Sequence, residues 1–217
     1  MIKNEIKLVA IVPFYNDFKA LQRLLLSLSS MKLPSILCDG RFIHFQKIKN
    51  SDLSTDGSRF LVTAFKNTKL ISLGPCKVDK KLNKLLQEAA KEGYTHALLL
   101  GCDENISGNL ELFKKRLKEK TISKPQIFCV SFKESSKGKT KNHPYINRIF
   151  HLPGEIMARG THNRFFSIEK SVKNSIRALR ANPSIIEGLT IQHDNSIRNS
   201  ERNELMKNYQ EKLSKDV

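Results

Sequence analysis

Two adjacent carboxylates, Asp103 and Glu104, follow the apolar run Ala97-Leu98-Leu99-Leu100 across Gly101-Cys102. Carboxylates at the end of a buried strand can hold a hard divalent cation through oxygen, and the cation can in turn hold a diphosphate. Two more apolar runs stop at polar clusters: Leu8 to Pro13 leads to Tyr15-Asn16-Asp17, and Ser35 to Cys38 leads to Asp39-Gly40-Arg41. Ligands of an open α/β sheet collect in the crevice beyond the carboxyl ends of its strands. If these three runs are parallel strands, their clusters surround one ligand. Each cluster also has a plainer use, because Asn16 or Asp17 can cap a helix and Asp39-Gly40 can be a turn.

The elements that would position these groups are legible in the hydrophobic pattern. The near-continuous run Leu8-Val9-Ala10-Ile11-Val12 suits a parallel strand buried on both faces. Phe18, Leu21, Leu24, Leu25 and Leu28 then recur at helical spacing. A second strand is expected at Ser35–Cys38, a short helix at Arg59–Lys66, and a third strand at Lys69–Leu73. Leu82, Leu85, Leu86, Ala89 and Ala90 form a helical stripe, followed by a strand at His96–Leu100. This alternation predicts an α/β fold with a doubly wound, mostly parallel central sheet and helices on both faces. Beyond residue 106 the pattern loosens. A helix is expected at Leu110–Lys118 and a strand at Gln126–Phe132. A polar Lys-, Ser- and Gly-rich loop from Lys133 to Pro144 is a candidate lid. Short strands are expected at Asn147–Leu152, Met157–Gly160 and Leu189–His193, some of them antiparallel, with helices at Ile168–Ala181 and Asn199–Leu213. Without an internal repeat or a clear linker, the 217 residues read as one composite domain. Its halves meet near residues 105 and 106, and 199–217 form a C-terminal helix.

Composition narrows the function classes. The formal charge of +17 favours polyanionic ligands or an anionic membrane surface. The lysines and arginines are spread along the chain, and blocks such as Lys114–Lys120 alternate with leucine as solvated helix faces do, so a dedicated nucleic-acid site is not expected. No apolar stretch reaches the roughly 20 residues of a membrane span. The first residues lack the pattern of a signal peptide. A cytoplasmic chain, able to touch the inner face of a membrane, is the expectation. Cys38, Cys76, Cys102 and Cys129 are widely separated and form no CxxC pair, which predicts buried free thiols. His44, His96, His143 and His151 read as structural or surface residues.

Several segments, in chain order, resemble those of family 2 glycosyltransferases. Val9 to Val12 followed by Pro13-Phe14-Tyr15-Asn16 is similar to the family's opening strand and Pro-x-Tyr-Asn turn. Asp39-Gly40 resembles the acidic position that contacts the nucleoside. Ser54-Thr55-Asp56-Gly57-Ser58 is similar to a Ser-Thr-Asp-Gly-Thr segment, here about 15 residues beyond Asp39. Lys80-Lys81-Leu82-Asn83 matches a basic residue and asparagine opening the helix before the metal strand, and Cys102-Asp103-Glu104 falls at the Asp-x-Asp motif. Asn147-Arg148-Ile149-Phe150 resembles an Arg-hydrophobic-Phe segment, Gly160-Thr161-His162 a Gly-x-hydrophobic-His-Glu element, and Ile191-Gln192-His193 the segment of a late histidine. Arg198 opens a similar polar ending.

The resemblance spans about residues 7–210 and implies a GT-A-like, Rossmann-related sheet with a smaller mixed or antiparallel acceptor-side region. It implies metal-dependent, inverting transfer of a sugar from a nucleotide-diphosphate sugar to a hydroxyl of a saccharide, lipid-linked or protein acceptor. The metal, Mn2+ or Mg2+, would be held by Asp103, Glu104 and His193. Pro13, Tyr15, Asn16, Asp39, Gly40, Asp56, Lys80, Lys81, Asn83 and Arg198 would bind the donor, with Tyr15 stacking on the base. Glu155 and His162 would be catalytic, Glu155 as the base in preference to Glu187. Two departures stand out: Gly101 replaces the first motif aspartate, and Asn163 stands where a glutamate commonly follows the histidine.

Such a transfer builds positive charge at the anomeric carbon and negative charge on the departing diphosphate, so it calls for a cation or basic side chains, a carboxylate base and exclusion of water. A nucleotidyltransferase can share this sheet but usually carries a glycine-rich phosphate loop after its first strand, and Pro13 to Asp17 contains no glycine. The other alternative is a GT-A-fold protein of weakened catalysis that acts as a basic nucleic-acid- or membrane-binding module.

Overall fold

The computed structural model describes residues 5–42, 52–121, 126–136, 139–152, 155–159, 164–169, 175–178 and 181–194. The first strand, β1 (Leu8–Phe14), is buried along almost its whole length, as its unbroken apolar run requires. Helix α1 (Phe18–Ser30) turns Ala20, Leu21, Leu24, Leu25 and Leu28 onto one face of the sheet. β2 (Ser35–Asp39), the short α2 (Ser58–Ala64) and β3 (Thr68–Ser72) follow. Helix α3 (Val78–Lys91) buries Leu82, Leu85, Leu86 and Ala89, with Lys81 among them, on the opposite face. β4 (His96–Leu99) leads through the Gly101 corner into β5 (Glu104–Gly108) and then α4 (Leu110–Lys120), whose first turn is capped by Asn109 Oδ1 accepting from the Leu112 N–H at 2.9 Å.

The second half of the chain is built from strands: β6 (Gln126–Ser136), β7 (Lys139–His151), β8 (Glu155–Arg159), β9 (Arg164–Glu169), β10 (Ser175–Ala178) and β11 (Ala181–Asp194). Eight strands form one sheet in the order β3-β2-β1-β4-β7-β6-β11-β5, and β10-β9-β8 form a second, antiparallel sheet. From β3 to β4 every pairing is parallel. Beyond β4 the pairings with β7 and β5 are antiparallel and only β6–β11 is parallel. The class is therefore α/β with a mixed central sheet flanked by helices on both faces. The small antiparallel sheet corresponds to the region expected on the acceptor side.

Three expectations need correction. The described residues of Ile168–Ala181 are strand, not helix: the apolar residues fit a helical spacing, but Ile168 and Ile176 are cross-strand partners of β9 and β10, and β-branched residues favour strands. Lys133–Pro144 is not a loop or a lid of irregular chain: Lys133–Ser136 and Lys139–His143 extend the β6–β7 hairpin, paired backbone to backbone. Polar composition there reports solvent on the strands rather than lack of structure. The third concerns α1, which neither Asn16 nor Asp17 caps through its side chain. Asp56 Oδ2 accepts from the Phe18 N–H at 2.9 Å from another loop instead. β5 was not anticipated, because Glu-Asn-Ile-Ser-Gly is short and polar. The expected helix at Asn199–Leu213 lies outside the described residues.

Candidate functional site

The carboxyl ends of β1, β2, β4, β6 and β11 share one edge of the sheet, as their mutually parallel directions demand. The antiparallel β5 brings its first residue, Glu104, to the same edge opposite His193. The three polar clusters expected to converge therefore do.

The nucleotide-side clusters are joined by the segment 52–58. Asp39, at the end of β2, is fully buried and accepts from the Ser54 N–H (3.1 Å), the Ser54 hydroxyl (2.6 Å) and the Arg59 guanidinium (3.1 Å). Ser54 Oγ in turn accepts from the Asn16 N–H at 2.9 Å, and Asn16 Oδ1 accepts from the Thr55 N–H at 2.9 Å. Asp56 holds Ser58 as well as the first turn of α1. Asn16 and Asp39, both expected to touch the donor, share a network through Ser54 that locks this loop to β1 and β2, and Asp56, also expected there, ties the same loop to α1. Tyr15 is buried at the end of β1, and burial raises its phenol pKa against the pull of Arg41. Pro13 lies within β1, opposite Cys38.

Lys81 and Asn83 also have structural partners. Lys81 is fully buried, and its ammonium lies 3.6 Å from the Phe42 ring centroid. Its Nζ donates to the Phe14 carbonyl at 2.9 Å and to the Gly40 carbonyl, tying the ends of β1 and β2 together. Burial lowers its pKa to about 8. Gly40 is required where it stands: at φ +156° a Cβ would lie 2.0 Å from the Leu73 carbonyl oxygen. Asn83 clamps β8, accepting from the Ala158 N–H (2.6 Å) and donating to the Ala158 carbonyl (3.1 Å). Lys80 is exposed.

At the Gly101 corner, Asp103 and His193 come together, with Oδ2 and Nε2 3.2 Å apart. Glu104, the cross-strand partner of His193, has its carboxylate engaged by other groups. Its Oε2 accepts from the Gly101 N–H (2.7 Å) and its Oε1 from Arg148 Nη2 (2.6 Å). Glycine at 101 permits this packing, since a Cβ there would stand 2.7 Å from Asp103 Oδ1. Cys102 donates its thiol to Asp17 Oδ2 at 3.0 Å. Among the described residues no three His, Cys, Asp or Glu side chains are arranged to hold a metal, so the expected trio reduces to the pair Asp103 and His193. All four cysteines are buried and free.

Arg148 is a residue whose sequence signal was noticed without a role being assigned. The β6–β7 register shifts between Phe128 and Cys129, leaving Arg148 as the extra residue of a β-bulge. The bulge aims its guanidinium at Glu104 and over the Phe132 ring, 5.6 Å from the centroid. Glu155 lies on β8, paired with Ile168 of β9, so its backbone belongs to the small sheet. Glu187 is exposed on β11. His162 and Arg198 lie outside the described residues.

Fold and site together define an α/β protein with a mixed central sheet, carrying a carboxylate–imidazole pair between the Gly101 corner and the carboxyl end of β11. No known protein family matches the sequence, and no curated protein does. Among solved structures the chain is similar to S. aureus TarS 1–349 in complex with UDP-GlcNAc, at 21% identity and a TM-score of 0.47, over 60% of this chain and 36% of that one. It is similar also to GalNAc-T7 with UDP, GalNAc and Mn2+, at 8% identity and a TM-score of 0.48, over 88% of this chain and 44% of that one. A third is the mannosyltransferase PcManGT from Pyrobaculum calidifontis in complex with GDP-Man and Mn2+, at 14% identity and a TM-score of 0.39, over 59% and 36%. The chain spans less than half the length of each. With every score this low, the functional assignment rests on the chain's own residues.

Proposed function

We propose that this chain is a glycosyltransferase of GT-A type that transfers a sugar from a nucleotide-diphosphate sugar to an acceptor hydroxyl. The observation that carries the reading is the Asp103–His193 pair, set at the carboxyl edge that also holds the ends of β1 and β2, with Tyr15-Asn16 and Asp39-Gly40 from the resembling segments. Ordered motifs in a sequence acquire chemical meaning when the topology brings them to one crevice.

Asp103 and His193 fit a divalent cation that takes its remaining ligands from a diphosphate and water, and an imidazole donor suits Mn2+ better than Mg2+. Lewis-acid stabilisation of the departing diphosphate is what such a cation supplies. The chain's own residues do the rest. The Asn16–Ser54–Asp39 network fixes the loop that borders the nucleoside position. Lys81 holds the ends of β1 and β2 in register, and Asn83 fixes β8 against α3. Arg148 neutralises Glu104, which leaves Asp103 as the carboxylate that faces His193. Transfer is inverting, with a carboxylate taking the acceptor proton; on the sequence resemblance alone that carboxylate would be Glu155, with His162 as its companion. The acceptor is a saccharide or a lipid-linked or protein hydroxyl. The charge of +17 suits an anionic acceptor or one held at an anionic membrane. No described helix is long and apolar enough to cross a membrane.

Titration calorimetry with nucleoside diphosphates, with and without Mn2+, tests this. Binding that requires Mn2+ and is lost in Asp103→Ala is expected. The second reading, a basic binding module of weakened catalysis, draws support from Asp39 and Glu104, whose carboxylates are already engaged inside the protein. Absence of nucleotide binding, with salt-sensitive binding to RNA or anionic vesicles, would favour it.

A further inference from the structure

The β6–β7 hairpin carries a carboxylate–imidazole pair that none of the motifs covers. His143 Nε2 lies 3.0 Å from Glu134 Oε2, so the imidazole N–H donates to the carboxylate and orients it. Residues paired across neighbouring strands share a face of the sheet, and the register places Glu134 between Lys141 of β7 and His193 of β11, with Glu104 of β5 beyond. Glu134 is thus one strand, roughly 5 Å, from the histidine that meets Asp103. Phe132, buried beneath, meets both His143 and His193 at 5.9 Å between ring centroids, which fixes the spacing of the two pairs.

Accessibility separates Glu134 from the other carboxylates of this edge. The side chains of Asp39, Glu104 and Asp103 are 0%, 4% and 5% exposed, whereas that of Glu134 is 34% exposed. Asp194 is comparably open, but its partner at 3.5 Å is the Arg23 guanidinium, which cannot take or give a proton as an imidazole can. Glu134 is therefore a reachable carboxylate held by an imidazole, on the same face as the Asp103–His193 pair.

We infer that Glu134 is the general base of the transfer and His143 its positioning residue, in place of Glu155. This rests on the glycosyltransferase reading above. In the step, the acceptor O–H gives its proton to a Glu134 carboxylate oxygen. The acceptor oxygen uses its freed electron pair to bond the anomeric carbon. The anomeric carbon–phosphate oxygen bond breaks, and its electron pair leaves on the nucleoside diphosphate. The proton later passes from Glu134 to solvent. The neighbours that face Glu134 are Lys141 and His143 from β7 and His193 from β11.

The test uses the whole chain with Mn2+ and a panel of UDP-, GDP- and dTDP-sugars, measuring nucleoside diphosphate release with water as acceptor alongside calorimetric binding of the nucleoside diphosphate. Glu134→Gln, nearly isosteric and partly exposed, should bind nucleotide as the unaltered protein does while turnover falls on the order of a hundredfold or more. Glu155→Gln, measured in parallel on the same scale, tests the competing assignment. His143→Ala should lower kcat with KM unchanged, and His143→Gln, which can still donate to the carboxylate, should recover most of it. Turnover in Glu134→Gln close to that of the unaltered protein, or a loss confined to Glu155→Gln, overturns the assignment while leaving the glycosyltransferase reading intact. An unaltered protein that neither binds a nucleotide nor releases one from any donor overturns both.

Discussion

Replacing His96 offers a quantitative check on the packing behind the site. His96 opens β4, is 1% exposed, and stacks on His151 of β7 with ring centroids 4.7 Å apart and an interplanar angle of 18°. Its Nδ1 and Nε2 lie 2.9 and 3.1 Å from the hydroxyls of Thr95 and Thr121. Burial, and secondarily the charge of His151, lowers its pKa to about 3. The unfolded chain takes up a proton near the ordinary value of about 6.5, while the folded chain resists it, so stability is present above that value and is lost as pH falls toward 3. Between about pH 7.5 and about pH 4.5 the loss is close to two pH units at 1.36 kcal/mol each, or roughly 3 kcal/mol. His96→Gln keeps hydrogen-bonding capacity toward both threonines but has no proton to gain. The assay is urea unfolding followed by circular dichroism for both proteins at the two pH values. The stability difference, unaltered protein minus His96→Gln, should shift by about 3 kcal/mol in favour of the variant at the lower pH, corresponding to ~1–2 M in the relative urea midpoint. Parallel declines of the two proteins would refute the reasoning, because His96 would then take up its proton equally in the folded and unfolded chains.

Other outcomes can be checked in the same preparations. Asp103→Ala should abolish Mn2+-dependent nucleotide binding by calorimetry, with circular dichroism checking that the variant is folded. Lys81→Met should remove a pH trend: the depressed pKa of about 8 makes the unaltered protein gain stability as pH rises from about 8 to about 10.5, by ~3 kcal/mol relative to the variant, measured by denaturant unfolding. Asn83→Ala should cost about 1–3 kcal/mol by leaving the Ala158 amide without its partner, and should speed hydrogen exchange along β8. Gly40→Ala should disrupt the Gly40–Leu73 approach and lower the yield of folded protein, read by circular dichroism and thermal melting.

The helices and strands of residues 8–100 were legible because each carries its own period. Buried parallel strands read as unbroken apolar runs, and α1 and α3 as stripes of leucine and alanine. The carboxyl edge followed from the same pattern, since parallel strands end on one side. The second half was harder for a definite reason. Its strands pair with partners far away in sequence, and the partner rather than local period decides their conformation. Ile168 and Ile176 suit a helix as a list of residues and suit β9–β10 once each finds the other.

The sequence by itself determined the α/β class, the buried free cysteines and the clustering of Tyr15-Asn16-Asp17, Asp39-Gly40 and Asp103-Glu104 at the strand ends, because these depend on local hydrophobic pattern and chain direction. Only the tertiary structure decided what the side chains do there. It spent Asp39 on Ser54 and Arg59, Glu104 on Arg148 and Asn83 on β8, and it brought His193 to Asp103 from 90 residues away and Glu134 to the neighbouring strand. A residue's type sets which bonds it can form, but register, a bulge and burial select which partner lies within reach.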